Sequence, residues 1–189
     1  DQGYLKGMFE SYYKIVYKAN VVLGHVAGDT DVQKRCIAEA QLFRAWAYFE
    51  LISMWGNPPL VDHELLPSEY SRPNGTTEEL WQLVENDLTQ AIASGNLTEK
   101  KQSVEPETWR LTKQFAQALL GKAYLWQGKN AEAAAEFDKV VDSHLYELFG
   151  GDYCDILSYN TKHNCESICE FNRVYDPNNP YDNFDMTYV

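Results

Sequence analysis

The chain has 189 residues, with 16 Lys+Arg against 28 Asp+Glu for a net charge of −12, so it offers no basic face to nucleic-acid phosphates and a nucleic-acid role is excluded. Its 44% apolar and 14% aromatic content excludes disorder, and its 13 tyrosines and 5 tryptophans are an excess that needs a place in the fold. No apolar run approaches the roughly 20 residues of a membrane-spanning helix.

In chain order, Met8, Tyr12, Ile15, Ala19, Val22 and Val26 recur at steps of three and four and predict an amphipathic helix over residues 4–26, ended by Gly28. Asp29 or Thr30 can cap a second helix that runs to residue 55. That helix is apolar on two sides, with Ile37, Ala40, Arg44, Ala47 and Leu51 on one and Leu42, Trp46 and Phe49 on the other, so it must lie between neighbours. Gly56-Asn57-Pro58-Pro59 stops it, and a long connection with further prolines at 67 and 73 follows. A connection of that length has a purpose or packs as an extended wrapper. Thr76-Thr77-Glu78-Glu79 is a capping box that opens a third helix over residues 77–93, with Leu80, Val84, Leu88 and Ala91 as its stripe.

After a polar loop containing Pro106, a fourth helix is predicted over residues 112–127 and a fifth over 131–143, with Gly128-Lys129-Asn130 as the turn between them. Within this hairpin Leu120-Gly121-x-x-Tyr124 and Ala133-x-x-x-Phe137 match the spacing of a tetratricopeptide repeat: Gly121 lets two helices approach while Tyr124 and Phe137 fill the groove. Gln117 stands where that repeat has Trp and no Pro follows the second helix, so the unit is degenerate. Beyond Tyr146, Gly150-Gly151 is a turn, residues 167–171 read as a short strand, and 174–189 are rich in Pro, Asn, Asp and Tyr without a period. The expected architecture is mainly α, a tetratricopeptide-like α/α superhelical scaffold over residues 1–145 followed by a short β and irregular segment over 146–189, together one domain. Its aperiodic end suggests the scaffold part of a longer protein.

The chemistry-bearing residues favour structure over catalysis. Glu39 and Arg44 lie inside a two-sided apolar helix, where charges are paired with neighbouring helices. Trp55, Pro58 and Pro59 could form a sugar platform but read as a packed helix exit. Cys36, Cys154, Cys165 and Cys169 are too few and too irregular for a disulfide scaffold. On a strand, residues four apart sit roughly 13 Å from each other, too far for Cys165 and Cys169 to share a zinc with His163 and too far for Glu166 and Glu170 to act as a glycosidase pair. Asp176, Asp182 and Asp185 lack the glycine and alternating ligands of a calcium loop. No nucleophile elbow, zinc-protease or phosphate-loop motif is present. No enzyme activity, metal or cofactor is expected.

Five segments, in order, resemble the SusD/RagB family of outer-membrane nutrient-binding lipoproteins of glycan-utilising Bacteroidetes. They are Tyr13-x-Ile15 through Ala19-Asn20 and Val22-Leu23; Ala38-Glu39-Ala40-x-x-Phe43-Arg44-Ala45 with Tyr48-Phe49 and the exit Trp55-Gly56-Asn57-Pro58-Pro59-Leu60; Arg72 leading into Asn86-Asp87-Leu88-x-x-Ala91; Arg110-x-Thr112-Lys113-x-x-Ala116-x-x-Leu119-Leu120 with Ala123-Tyr124-Leu125; and Tyr146-x-Leu148 with Asn164-x-Glu166-Ser167-Ile168. The resemblance covers residues 4–172. It implies a non-catalytic binder of oligosaccharides or other nutrients, exposed on the outer membrane and lipid-anchored outside this chain. Its partner would be a SusC-like TonB-dependent transporter, with the helices packed on the transporter and ligand held by loops outside them.

Sugar recognition wants aromatic faces beside amide and carboxylate groups on converging loops. Tyr175, Asn178, Asn179, Tyr181, Asp182 and Phe184 have that composition, with Tyr153 and Tyr159 as additions. The competing interpretation packs these tyrosines against the rest of a longer chain. A helical-repeat adaptor for a protein or peptide is the alternative function.

Overall fold

The computed structural model describes residues 2–100, 110–156, 158, 161 and 163–170. Five α-helices follow one another, α1 (Gln2–His25), α2 (Asp31–Trp55), α3 (Thr77–Ala93), α4 (Lys113–Trp126) and α5 (Asn130–Val141), with 3-10 turns at Pro67–Glu69 and Tyr153–Asp155. Each helix packs on the next, and α2 also touches α4.

The starts are set by local chemistry. Thr30 caps α2, its side chain taking the Gln33 amide while the Gln33 side chain returns to the cap backbone. Thr76 and Glu79 make the same reciprocal box at α3, and Thr112 takes the Phe115 amide at α4. These caps satisfy amide donors that a helix start leaves bare, about 1 kcal/mol each. Gly56 stops α2 with φ at 75°, a left-handed value that suits glycine.

The two-sided character of α2 becomes a sandwich. Ala38, Leu42, Ala45, Tyr48, Phe49, Leu51 and Ile52 are buried together with Val16 of α1 and Leu80, Trp81, Val84 and Leu88 of α3. Burial of each large apolar side chain contributes roughly 1.5–3 kcal/mol. Edge-on aromatic pairs join the layers: Phe9 meets Trp55 at 5.2 Å and Tyr12 meets Trp46 at 5.7 Å, while Phe49 meets both Trp81 at 5.8 Å and Trp126 at 5.9 Å. The Phe9–Trp55 contact and the contact of Asn20 with Arg44 make α1 antiparallel to α2. Much of the aromatic excess is thereby absorbed in helix packing.

The α4–α5 hairpin takes the repeat geometry expected from its spacing. A Cβ on Gly121 would stand 2.6 Å from the Phe137 ring, so the helices close on each other only because that position has no side chain. Ala133 is buried beside them.

Residues 57–75 are the anticipated wrapper, an Ω-like excursion closed at its base where Gly75 donates its amide to Pro58 O and Pro59 bridges Asn74. Its backbone is held from below. Tyr13 donates to Pro59 O at 2.6 Å, the Asn20 amide donates to Val61 O and His63 O, and Val61 N donates to the Tyr48 hydroxyl at 2.6 Å.

The expected face of α1 turns inward, with Ala19 buried and Tyr12 and Ile15 packed on the core, and Val16 and Asn20 are buried beside it because the 57–75 wrapper covers the Tyr13–Asn20 side in addition to α2. One expectation is corrected. Residues 167–170 form no strand, and Phe171 lies outside the described residues. The Glu166 and Ser167 amides turn back onto the Asn164 side chain, and the carbonyls of 164, 165 and 167 accept from Lys100, so the backbone is not free to form a ladder.

Candidate functional site

The helix charges are structural, as their surroundings required. Glu39 takes two hydrogen bonds from Arg110, at 2.8 and 3.0 Å. Arg44 is buried between α1 and α3 and donates to Asp87, to Asn20 and to the Asp62 carbonyl, all of its contacts lying at 2.7–2.8 Å. Burial pushes the Asp87 carboxyl up, and the Arg44 guanidinium opposes that. Trp55 packs against the core and Pro59 serves as an acceptor for tyrosines, which makes this exit a packed junction.

The described residues form a concavity of about 480 Å³ where the chain leaves α5, lined by Lys100, His144, Tyr146, Glu147, His163 and Asn164 among others. Lys100 holds two of its walls together. Its ammonium donates to Asn164 O at 2.7 Å, Cys165 O at 3.4 Å and Ser167 O at 2.7 Å, and sits 4.4 Å from the centre of the Tyr146 ring. Three donors thus meet three carbonyls and an aromatic face. Burial lowers the Lys100 pKa and raises that of Tyr146. Asn164 tightens the same wall by accepting the Glu166 and Ser167 amides on its side-chain oxygen, an Asx turn. Glu166 and Glu170 in turn accept the Phe149 and His163 amides.

His144 and His163 adopt positive φ, 53° and 56°, and are the two non-glycine residues that do so among the described residues. Both line this concavity. Cys165 and Cys169 are unpaired, and burial pushes the Cys169 thiol up to about 11, the range of an inert buried thiol. Among the described residues no group of three or more His, Cys, Asp or Glu is gathered as a metal ion would require.

Of the residues singled out for ligand contact, Tyr153 lies 84% exposed on the turn following the concavity segment. Tyr175, Asn178, Asn179, Tyr181, Asp182 and Phe184 lie outside the described residues, as do Tyr159 and the Asp176, Asp182 and Asp185 group. Sequence reasoning did not single out Lys100, His144 or Glu147. Lys100 ends a polar loop and His144 follows a helix end, places where a charge is ordinarily just solvated, and only the closing of the chain through 64 to 67 residues brings Lys100 to its carbonyls.

Residues 1–125 match a family model described as starch-binding and associating with the outer membrane. The chain belongs to the SusD-like family. A SusD-like protein of Bacteroides ovatus is 30% identical over 181 residues, 87% of this chain and 32% of the relative. SusD-like protein P25 of Formosa agariphila is 26% identical over 167 residues, 85% of this chain and 30% of that protein. The chain therefore spans about a third of the length of the curated SusD-like relatives it matches.

Solved structures carry the same fold. A laminarin binding SusD-like protein superposes with a TM-score of 0.78 at 32% identity, over 86% of this chain and 36% of the other. A structure solved with xylogluco-oligosaccharide superposes with a TM-score of 0.74 at 28% identity, over 89% of this chain and 35% of the other. The SusD-like helical array is thus shared across proteins whose described ligands differ.

Proposed function

We propose that the protein to which this chain belongs binds an oligosaccharide at the bacterial outer surface, does not cleave it, and delivers it to a SusC-like TonB-dependent transporter. The observation that supports this reading is the likeness to a laminarin binding SusD-like protein, 32% identical with a TM-score of 0.78 over 86% of the chain. In this reading the five helices are the frame. Their buried charges are consumed by one another, and ligand contact falls to the loops after α5, with Tyr175, Asn178, Asn179, Tyr181, Asp182 and Phe184 as the contacting groups. None of the helices among the described residues is long and apolar enough to cross a membrane; in this reading attachment is by a lipid anchor outside these residues.

Calorimetry and affinity electrophoresis of the full-length protein against a polysaccharide panel that includes laminarin and xyloglucan test the reading. Binding to at least one glycan without release of new reducing ends is expected. No binding across the panel would sink it, and new reducing ends would replace it with an enzyme. Co-purification of a TonB-dependent β-barrel from outer-membrane extracts tests the partner.

A further inference from the structure

We propose that the concavity between residues 144–147 and 163–165 is a subsite for one uncharged, hydroxyl-rich ring of the glycan, with His144 and Glu147 as its hydrogen-bonding rim. The inference rests on the glycan-binding reading and says where in this chain a sugar ring is met and of what charge. At about 480 Å³ the concavity lies within the range of roughly 300–1,000 Å³ typical of small-molecule sites. Two of its other lining side chains are already committed: Lys100 to three carbonyls, and Asn164 to the Ile156 carbonyl and two amides.

The His144 imidazole and the Glu147 carboxylate are exposed at its edge, and neither has a side-chain partner among the described residues. A ring nitrogen beside a carboxylate supplies donor and acceptor capacity together, which sugar hydroxyls, each both donor and acceptor, can satisfy. An apolar ligand would leave both groups unpaired. One face of the Tyr146 ring is taken by the Lys100 ammonium, and the hydroxyl-recognising groups here are those of His144 and Glu147.

Charge narrows the ligand further. Among the described residues that line the concavity, Glu147 brings a carboxylate and the lysine, Lys100, is held against three carbonyls. Against these described residues a uronate or sulfate ester would face the Glu147 carboxylate with the Lys100 ammonium already committed, whereas an uncharged ring meets no such repulsion.

The test uses the full-length protein, with laminarin and xyloglucan oligosaccharides as neutral probes and oligogalacturonate as the anionic one. Neutral probes are expected to bind, and His144→Ala combined with Glu147→Gln is expected to weaken that binding roughly ten-fold or more while leaving the melting temperature unchanged. An unchanged affinity in that folded double variant overturns the subsite while leaving the glycan-binding function standing. Tighter binding of oligogalacturonate than of the neutral probes overturns the charge preference. Failure of the unmodified protein to bind any glycan overturns the function and the subsite with it.

Discussion

Arg44 of α2 and Asp87 of α3 form a buried two-pronged ion pair, Nε donating to one carboxylate oxygen at 2.7 Å and Nη2 to the other at 2.8 Å. The third nitrogen, Nη1, reaches Asn20 of α1 and the Asp62 carbonyl of the wrapper. One guanidinium therefore registers three helices and a loop. Arg44→Met strands the Asp87 carboxylate and is expected to cost about 3–5 kcal/mol in urea unfolding followed by helical circular dichroism. Arg44→Met with Asp87→Leu should recover part of that loss, because no unpaired charge is then left in the interior. A single variant no less stable than the parent would contradict the arrangement.

Tyr48 is fully buried and its hydroxyl accepts the Val61 amide while lying within reach of the Pro59 and Val61 carbonyls. Burial pushes its pKa up to about 12, so it stays a neutral phenol at any working pH. Tyr48→Phe keeps the ring but leaves the half-buried Val61 amide without its partner, and is expected to cost about 1 kcal/mol. Hydrogen exchange should show the added opening concentrated in the 57–75 wrapper.

Gly121→Ala forces a methyl group to 2.6 Å from the Phe137 ring. The expected loss is about 1–3 kcal/mol from overpacking, readable as a lower urea midpoint. Phe137→Leu in the same chain should return part of it. Full tolerance of the alanine would mean that α4 and α5 lie further apart than described.

His63 bridges Asp62 at 2.7 Å and Glu69 at 3.1 Å on the wrapper's outer face, with Arg72 beside them. The Asp62 and Glu69 hydrogen bonds raise its pKa above the ordinary 6.5. A raised histidine stabilises fully below its ordinary value, and the contribution is lost as pH rises through the raised one. Glu69 is lowered by the Leu66 amide and by His63, so its contribution is present above the usual 4.5 and is lost as pH falls through the lowered value. The wrapper should resist limited proteolysis best between the lowered Glu69 transition and the ordinary histidine value, and lose part of that resistance as pH rises through the raised His63 value. His63→Gln should flatten the alkaline limb.

Lys100→Met removes three hydrogen bonds that tie residues 164–167 to the scaffold. Faster hydrogen exchange across 163–170 is expected, with the exchange of α1 to α3 unchanged. Lys100→Arg should restore protection incompletely, since a planar fork does not reproduce a three-donor ammonium tripod. Equal exchange in all three proteins would show that the segment is held by other contacts.

The helical part was legible in the sequence because its determinants are local. Thr76 and Glu79 write a helix start within four residues, and Leu80, Val84, Leu88 and Ala91 write the buried stripe that α3 displays. The Gly121 and Phe137 positions also carried their packing role, because a repeat hairpin closes over a short turn. The strand expected at residue 167 failed for the opposite reason. Alternation in a short run says nothing about whether a partner strand is within reach, and here Asn164 and Lys100 occupy the backbone groups a partner would need.

Composition, periodicity and the ordered motifs by themselves determined that this is an acidic array of amphipathic helices of SusD-like kind, with no apolar run of membrane-spanning length, since those properties are set by side-chain spacing along a single chain. Only the tertiary structure decided that Arg44 would find Asp87 rather than another acid. It likewise decided that the proline-rich connection would be clamped onto Tyr13, Asn20 and Tyr48, and that Lys100 would meet carbonyls beside His144 and Glu147. Each of those contacts joins residues far apart in sequence. Their geometry depends on how the apolar faces of α1, α2 and α3 settle against one another, and no local pattern records it.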